Sequence, residues 1–574
     1  MKKRYWHLLL ALLIGVSSFY IFKNEMNAYE SAIVLEEVQS HLAEDRFEAA
    51  VVLSNKDDSV AMNSYTKWWY HEGENRYYLF LPSNWDSWKY LGKIRWQFNN
   101  VEDVLLDDKT ISNGDVFNVR AGEYNLNVDG QDYNLMVMYS ENIGSLFIET
   151  QSRGLDYIHE SKENAEPAEY ILYDEMGRLS NLGIINEMSC RGNVSFTDRE
   201  KKSYHLDMLE KSQMLDLGAE KDWLLLANGF DESLSRNWIV NNMAKTLSME
   251  YVPDAEYIDL YINGDYVGNY LLTEKIEVGS ERVNIRDLDK ELEVLNPGLD
   301  FSTCEIVIEQ PGKLFSRKWW KIPNEPDDYT GGYLMEIDWS DRYGGEESGF
   351  ISSRMQPVVV RSPKYATLNQ IGYMADIYQD FEDAAFSDTG YNEKTEKYFY
   401  EYIDMESFIV KYMLEELVKN QDASYTSFFL YKPEYDTKMY AGPVWDYDGA
   451  IHFERISDEG IDLGDPEGLY AAVEKRDGDI WYALYKQPYF RENIDSICDA
   501  WFEERVNEFV ETQIDANAER IMESAVMTSI RWDRFDADSP EEMRVMFAKE
   551  NTILKDFLQE RMAWLSEEWN YKEE

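Results

Sequence analysis

The chain has 574 residues, 110 of them acidic and 56 basic, for a formal net charge of −54 at pH 7. A field that negative repels nucleic-acid phosphates, which excludes nucleic acid as a partner and favours cations and basic polypeptides. Apolar residues make up 44% and aromatics 14%, which excludes long disordered stretches and allows roughly two to four folded units. Cys190, Cys304 and Cys498 show no C-x-x-C spacing, and the six histidines are scattered. Neither a disulfide framework nor a Cys/His metal site is encoded.

In chain order, Lys2, Lys3 and Arg4 precede an apolar run, Trp6–Phe22, closed by Lys23. Residues 1–24 read as a signal or membrane anchor. No small-residue cleavage site follows closely, so an uncleaved span is favoured, with the N-terminus inside and the remainder at the cell surface; cleavage would make the protein secreted. Residues 25–50, rich in Glu, Ala, Leu and Gln, read as a helical stalk. Over 51–140 the pattern becomes that of short strands, such as Tyr77–Leu81 and Lys93–Phe98, with turns at Asn113-Gly114 and Asp129-Gly130. This predicts a small all-β, sandwich-like accessory domain.

A larger α+β unit is expected over 145–570. Arg191, Lys201 and Lys202 form a basic cluster beside Gly192 in a very acidic chain. The cluster has two readings, a phosphate cradle or a salt-bridged surface turn. Asn237–Leu247 reads as an amphipathic helix. Tyr257–Tyr261 and Tyr266–Glu274, joined at Asn263-Gly264, read as a β-hairpin. Glu274 and Lys275 adjoin on that second strand, so only one can enter a given cleft. Asp289–Asp328, rich in Pro, Asp and Glu, reads as a mobile or variable insertion. Gly331–Asp338 returns to strand. Asp404 is placed to cap a helix over Ser407–Val418, with Phe408, Ile409, Tyr412, Met413 and Leu417 on one side. That helix delivers Asn420 and Asp422, and a strand-like run, Ser424–Tyr431, follows. From Tyr485 to Trp569 the pattern is helical.

The chemistry concentrates at Ala441–Ala450, AGPVWDYDGA. If Val444–Asp448 is extended, Asp446 and Asp448 share a face. Two acids so placed repel unless a cation sits between them, and hard divalent cations prefer oxygen ligands. Turn-and-cap roles are the alternative. Asp422 stands 24 residues before Asp446, and the layout of a loop acid followed by a metal acid is that of a phosphoryl-transfer site.

Read together, the segments Arg191-Gly192-Asn193, Lys221–Asn228, Ser235-Arg236-Asn237, Tyr261–Gly264, Leu271–Ile276, Gly332–Asp338, Lys419–Asp422 and Gly442–Asp448, with Arg531-Trp532, resemble the CotH (spore-coat protein H) kinase family in order and spacing. The resemblance extends over roughly 145–570 and to membrane-tethered bacterial members with a β-rich unit ahead of this domain. It implies an atypical protein-kinase-like, two-lobed fold. It also implies ATP- and Mg²⁺- (or Mn²⁺-) dependent phosphorylation of Ser or Thr in basic, Ser-rich secreted or surface proteins. Asp422 then matches the catalytic-loop acid and Asp446 the metal acid. Asp422 and Asp448 are further metal candidates, and Arg191, Lys202, Glu274 and Lys275 lie on the nucleotide side. One departure stands out: Asp207 occupies a position where family members usually carry lysine, so Lys202 or Lys275 would have to substitute. The alternative is a surface-binding module that keeps the fold with little or no catalysis. A metal-dependent hydrolase ranks last, for want of histidine ligands and a clear base.

Overall fold

The computed structural model describes residues 38, 42, 47–55, 64–85 and 92–570. The anchor expected over 1–24 lies outside the described residues, as does most of the stalk. Among the described residues no helix is long and apolar enough to cross a membrane. The end of the expected stalk is not helical: Glu48–Asn55 is a strand, paired on both sides, by Tyr65–Lys67 and by Gly92–Asn99. Its Ala49–Leu53 side chains are all buried, and this burial outweighs the local helix preference of Glu and Ala.

The architecture is α+β, in two compact units. The first comprises the chain up to Gly229, Glu256–Leu272 and Arg520–Val545. Its N-terminal part holds that three-stranded sheet and a six-stranded sheet running Trp69–His71, Arg76–Leu81, Gln131–Tyr139, Gly122–Val128, Val104–Leu106, Lys109–Ile111. Aromatic edges fill its core, with Trp68 lying T-shaped on Trp96 at 5.8 Å and on Phe98 at 5.9 Å. Asp129 and Gly130, at φ 48° and 85°, make the two-residue hairpin turn the sequence called for.

The same unit contains a closed seven-stranded barrel. Its strands run in the order Gly144–Thr150, Ala165–Tyr173, Leu179–Arg191, Ser203–Gln213, Ala219–Leu226, Asp265–Glu274, Ala255–Ile262. Gly144–Thr150 closes it by pairing parallel with Ala255–Ile262. The Asn263-Gly264 hairpin is present, with φ 52° and 82°. Leu146, Leu172, Ile185, Leu206, Trp223 and Tyr270 fill the interior. Gly192 is required where it stands: at φ 90°, a Cβ would meet Ser195 Oγ at 2.1 Å.

The second unit comprises Phe230–Ala255, Thr273–Glu519 and Met546–Glu574. Its seven-stranded sheet runs Ile306–Glu309, Ser316–Trp320, Gly349–Ile351, Pro357–Ser362, Tyr333–Ile337, Phe428–Lys432, Tyr440–Ala441. The span 289–328, read in sequence as a mobile or variable insertion, folds into defined elements. It carries most of the helix Leu288–Leu295, capped by Asp287 and seated through buried Leu288 and Leu292, and supplies the edge strand Ile306–Glu309 and its neighbour Ser316–Trp320. Asp289 anchors it, accepting from Ser362 Oγ at 2.7 Å and Lys364 N–H at 2.7 Å. The acidic composition hid these long-range partners.

The helix Met405–Val418 runs through the middle of the core, and Asp404 caps it as expected, accepting from Ser407 N–H at 2.9 Å; such a cap contributes about 1 kcal/mol. It differs from the one-sided helix the spacing suggested. Every residue from Phe408 to Val418 is buried, Lys411, Glu415 and Glu416 included. Three charges in a helix buried all round need partners, and the partners lead to the site.

Candidate functional site

Helix Met405–Val418 ends at Lys419, which takes a left-handed conformation (φ 46°) and turns the chain sharply. The Lys419 ammonium donates to the carbonyls of Asp462, Asp465 and Glu467 at 3.0, 2.6 and 2.7 Å. Burial pulls its pKa down to about 8. The next residue, Asn420, is locked at both ends of its amide. Its Nδ2 donates to Glu415 at 3.0 Å, and its Oδ1 accepts from Asp422 N–H at 3.1 Å. Asp422 is thereby fixed at the mouth of the loop, half-buried. Burial, and next the charge of Asp446, push its carboxyl up to about 7, with Arg342 opposing.

The Trp445–Asp448 segment is not a strand. Asp446 sits at φ 64°, so strict alternation fails and the extended geometry on which the shared face depended does not form. The acids meet by another route. Tyr447 turns inward and is fully buried; its hydroxyl donates to Glu415 at 2.8 Å, and Lys411 donates to both Glu415 and the Tyr447 oxygen. The Tyr447 N–H donates to Asn237 Oδ1 at 2.9 Å, and Asn237 Nδ2 donates to Asp448. Asn237 begins the helix Arg236–Thr246. Its neighbour Arg236 pairs with buried Asp231 and donates to the carbonyl of Ala450 at 2.8 Å. The segment is pinned on both sides, and Asp446 is left exposed between Asp422 and Asp448. Burial, then the charges of Asp446 and Asp231, push Asp448 up to about 7. A left-handed non-glycine residue costs about 1–2 kcal/mol, so Asp446 is held there by its surroundings.

The charge of Asp446 thus bears on both Asp422 and Asp448. Among the described residues, no three His, Cys, Asp or Glu side chains gather as a ready-made metal cage. The nucleotide-side candidates have other engagements. Glu274 pairs with Arg282 at 2.9 Å and accepts from Asp254 N–H at 2.9 Å, and burial pushes it up to about 7. Lys275 lies just past the strand and pairs with Glu277 at 3.6 Å. In the first unit, Arg191 ends a barrel strand, opposite Ser203. The Lys202 ammonium donates to the carbonyls of Phe196 and Arg199, stapling the loop before its strand. Asp207 accepts from Asn186 at 2.9 Å and stands between Glu187 and Asp222 on the neighbouring strands.

The matching family model is that of the CotH kinase protein, over residues 188–565. The chain belongs to the CotH kinase protein family. No curated protein matches it. The motif Ser235-Arg236-Asn237 alone assigns Asn237 no task, and the local pattern singles out neither Lys411 nor Glu415. The available signal is three charged residues, Lys411, Glu415 and Glu416, in the otherwise apolar run Phe408–Val418, which cannot be buried unpaired.

Proposed function

We propose that this CotH kinase family member transfers the γ-phosphoryl group of ATP to Ser or Thr hydroxyls of basic polypeptides. The observation that carries this reading is the double lock just described. Asn420 fixes Asp422 through its own amide, and Asn237 with Tyr447 fixes Asp446 beside it. The arrangement supports a general base at Asp422, whose carboxyl, raised toward neutrality, matches what proton abstraction near pH 7 needs. As the substrate hydroxyl oxygen bonds to the γ-phosphorus and the bond to the β,γ-bridging oxygen breaks, the Asp422 carboxylate takes the hydroxyl proton and ADP leaves. Asp446 and Asp448 offer oxygen donors suited to Mg²⁺ or Mn²⁺. An ion held by them would neutralise the phosphate charge. The net charge of −54 supports a basic substrate, since opposite fields speed encounter. The apolar Trp6–Phe22 run with its basic flank supports a membrane-anchored protein whose bulk faces outward. The barrel and the second unit are read as the two lobes, with the N-terminal sheets as the accessory domain ahead of them.

The test is label transfer from ATP to a basic, Ser-rich protein, with Mg²⁺ or Mn²⁺ and the purified chain. Transfer is expected, and Asp422→Asn should lower it by about a hundredfold to ten-thousandfold. Transfer that survives in Asp446→Asn would sink the assignment.

A second reading, a binding module with little catalysis, is favoured by one observation: the Lys202 ammonium is spent on loop carbonyls while Asp207 holds the usual lysine position. It predicts that ATP with Mg²⁺ leaves the melting temperature unchanged, because a ligand that binds only the folded state must raise it.

A further inference from the structure

Beside the proposed catalytic acid lies an aromatic pair with an open face. Trp339 and Tyr425 stack with ring centroids 4.9 Å apart and planes 9° from parallel. Tyr425 belongs to the Asp422 loop, its N–H donating to the Asp422 carbonyl at 2.9 Å. Its hydroxyl donates to Glu459 at 2.9 Å. The pair is held rigidly by one buried carboxylate. Asp338 accepts from Trp339 N–H at 2.8 Å and from Thr426 Oγ1 at 2.6 Å, so the residue bearing the indole and the neighbour of Tyr425 are tied to the same group. Trp339 is nonetheless 39% exposed, and its indole N–H has no acceptor among the described residues. Trp339 thus packs on Tyr425 from a fixed base while part of its indole surface stays open to solvent.

The surroundings say what kind of group would cover it. The guanidinium of Arg476 already lies over the Tyr425 ring, 4.9 Å from its centroid, so this stack accepts a planar cation. Exposed Asp341 and the Tyr425-bound Glu459 add negative charge. Arg342, on the same short helix, is paired with Asp338 at 3.4 Å and donates to Thr426 at 3.1 Å. Trp is the strongest cation–π partner, and guanidinium stacks on it flat.

We propose that the open face of Trp339 is a docking platform for an arginine of the polypeptide substrate, a few residues from the hydroxyl presented to Asp422. This rests on the kinase reading only for what Asp422 does; the binding itself does not require transfer.

The experiment uses two synthetic Ser-containing peptides, one bearing arginines and the other with those arginines replaced by glutamine. Binding is measured by fluorescence anisotropy and phosphoryl transfer by label incorporation, for the parent chain, Trp339→Ala and Trp339→Phe. The parent should bind the arginine peptide about five- to tenfold more tightly than its partner. Trp339→Ala should erase that preference and raise KM for the arginine peptide, leaving kcat and the KM for ATP unchanged. Trp339→Phe should keep part of the preference. Preference that survives Trp339→Ala, an equal loss for both peptides, or no binding of either peptide overturns the proposal. Trp339-dependent preference without any label transfer supports it while refuting the kinase reading. Transfer without a Trp339 effect does the reverse.

Discussion

Two buried clusters of charge, one in each unit, have opposite characters. In the barrel unit, fully buried Asp259 accepts from Tyr266 Oη at 2.9 Å, from Ser524 Oγ at 2.6 Å and from Ser140 Oγ. Burial pushes its carboxyl up, and those hydroxyls and Lys201 pull it back. Lys201 in turn donates to the carbonyls of Ala227, at 2.8 Å, and Asn269. Each charge there is met by neutral partners of fixed geometry, the pattern of a structural network. In the second unit, Asp422 and Asp448 are both pushed up by burial and then by the charge of Asp446. The protein holds like charges together and ties their loops with amides, and the nearby guanidiniums, Arg342 and Arg455 toward Asp422 and Arg236 toward Asp448, offset the repulsion only in part. Strain of that kind is kept where a ligand relieves it. The difference sets the two clusters apart without reference to motif.

The largest effect expected from this contrast is at Asp446. Asp446→Asn keeps a residue comfortable at φ 64° but removes the charge that bears on both Asp422 and Asp448. Transfer should fall about a thousandfold or more, while the melting temperature rises by about a degree or two, because repulsion is relieved. A calorimetric scan beside the activity assay checks both signs. A fall in both would move Asp446 into the structural class.

A smaller effect tests a buried carboxylate of the scaffold type in the second unit. Glu382, fully buried, accepts from Ser352 Oγ at 2.6 Å and Gln379 Nε2 at 2.9 Å. Burial, the largest influence, pushes it up to about 7. Its proton is therefore held more tightly in the folded chain than in the unfolded one. The stability it contributes is full below about pH 4.5 and is lost as pH rises through about 7. Denaturant titrations at pH 5 and pH 8 should show that Glu382→Gln removes about 2–3 kcal/mol of the difference between the two conditions. Transfer per folded molecule should not change.

The smallest effect sharpens the contrast from the barrel side. Lys201 belongs to the basic cluster that the sequence offered as a phosphate cradle. Lys201→Met would orphan two buried carbonyls and cost about 1–3 kcal/mol of stability. The KM for ATP should be unaltered once the folded fraction is matched. A raised KM for ATP would return Lys201 to the nucleotide side.

What the sequence determined by itself rests on short-range rules. The Asp404 cap, the turns at Asp129-Gly130 and Asn263-Gly264, and the helices after Tyr485 are set by residues a few positions apart. So was the ordered run of motifs that placed the chain in its family. The tertiary structure alone decided the rest. Asn237 reaches Asp448 across 211 positions, and Tyr447 reaches Glu415 across 32. The Asp289 carboxylate orders a span whose composition looked mobile by binding Ser362, 73 residues on. The basic turn near Arg191 has two readings in sequence, a phosphate cradle or a salt-bridged surface turn, and the contacts of the Lys202 ammonium with the Phe196 and Arg199 carbonyls belong to the tertiary structure alone. Spacing shows which faces two acids can share only while the backbone is regular. At Asp446 the left-handed turn, held by long-range hydrogen bonds that no local pattern records, sets where the carboxylates meet.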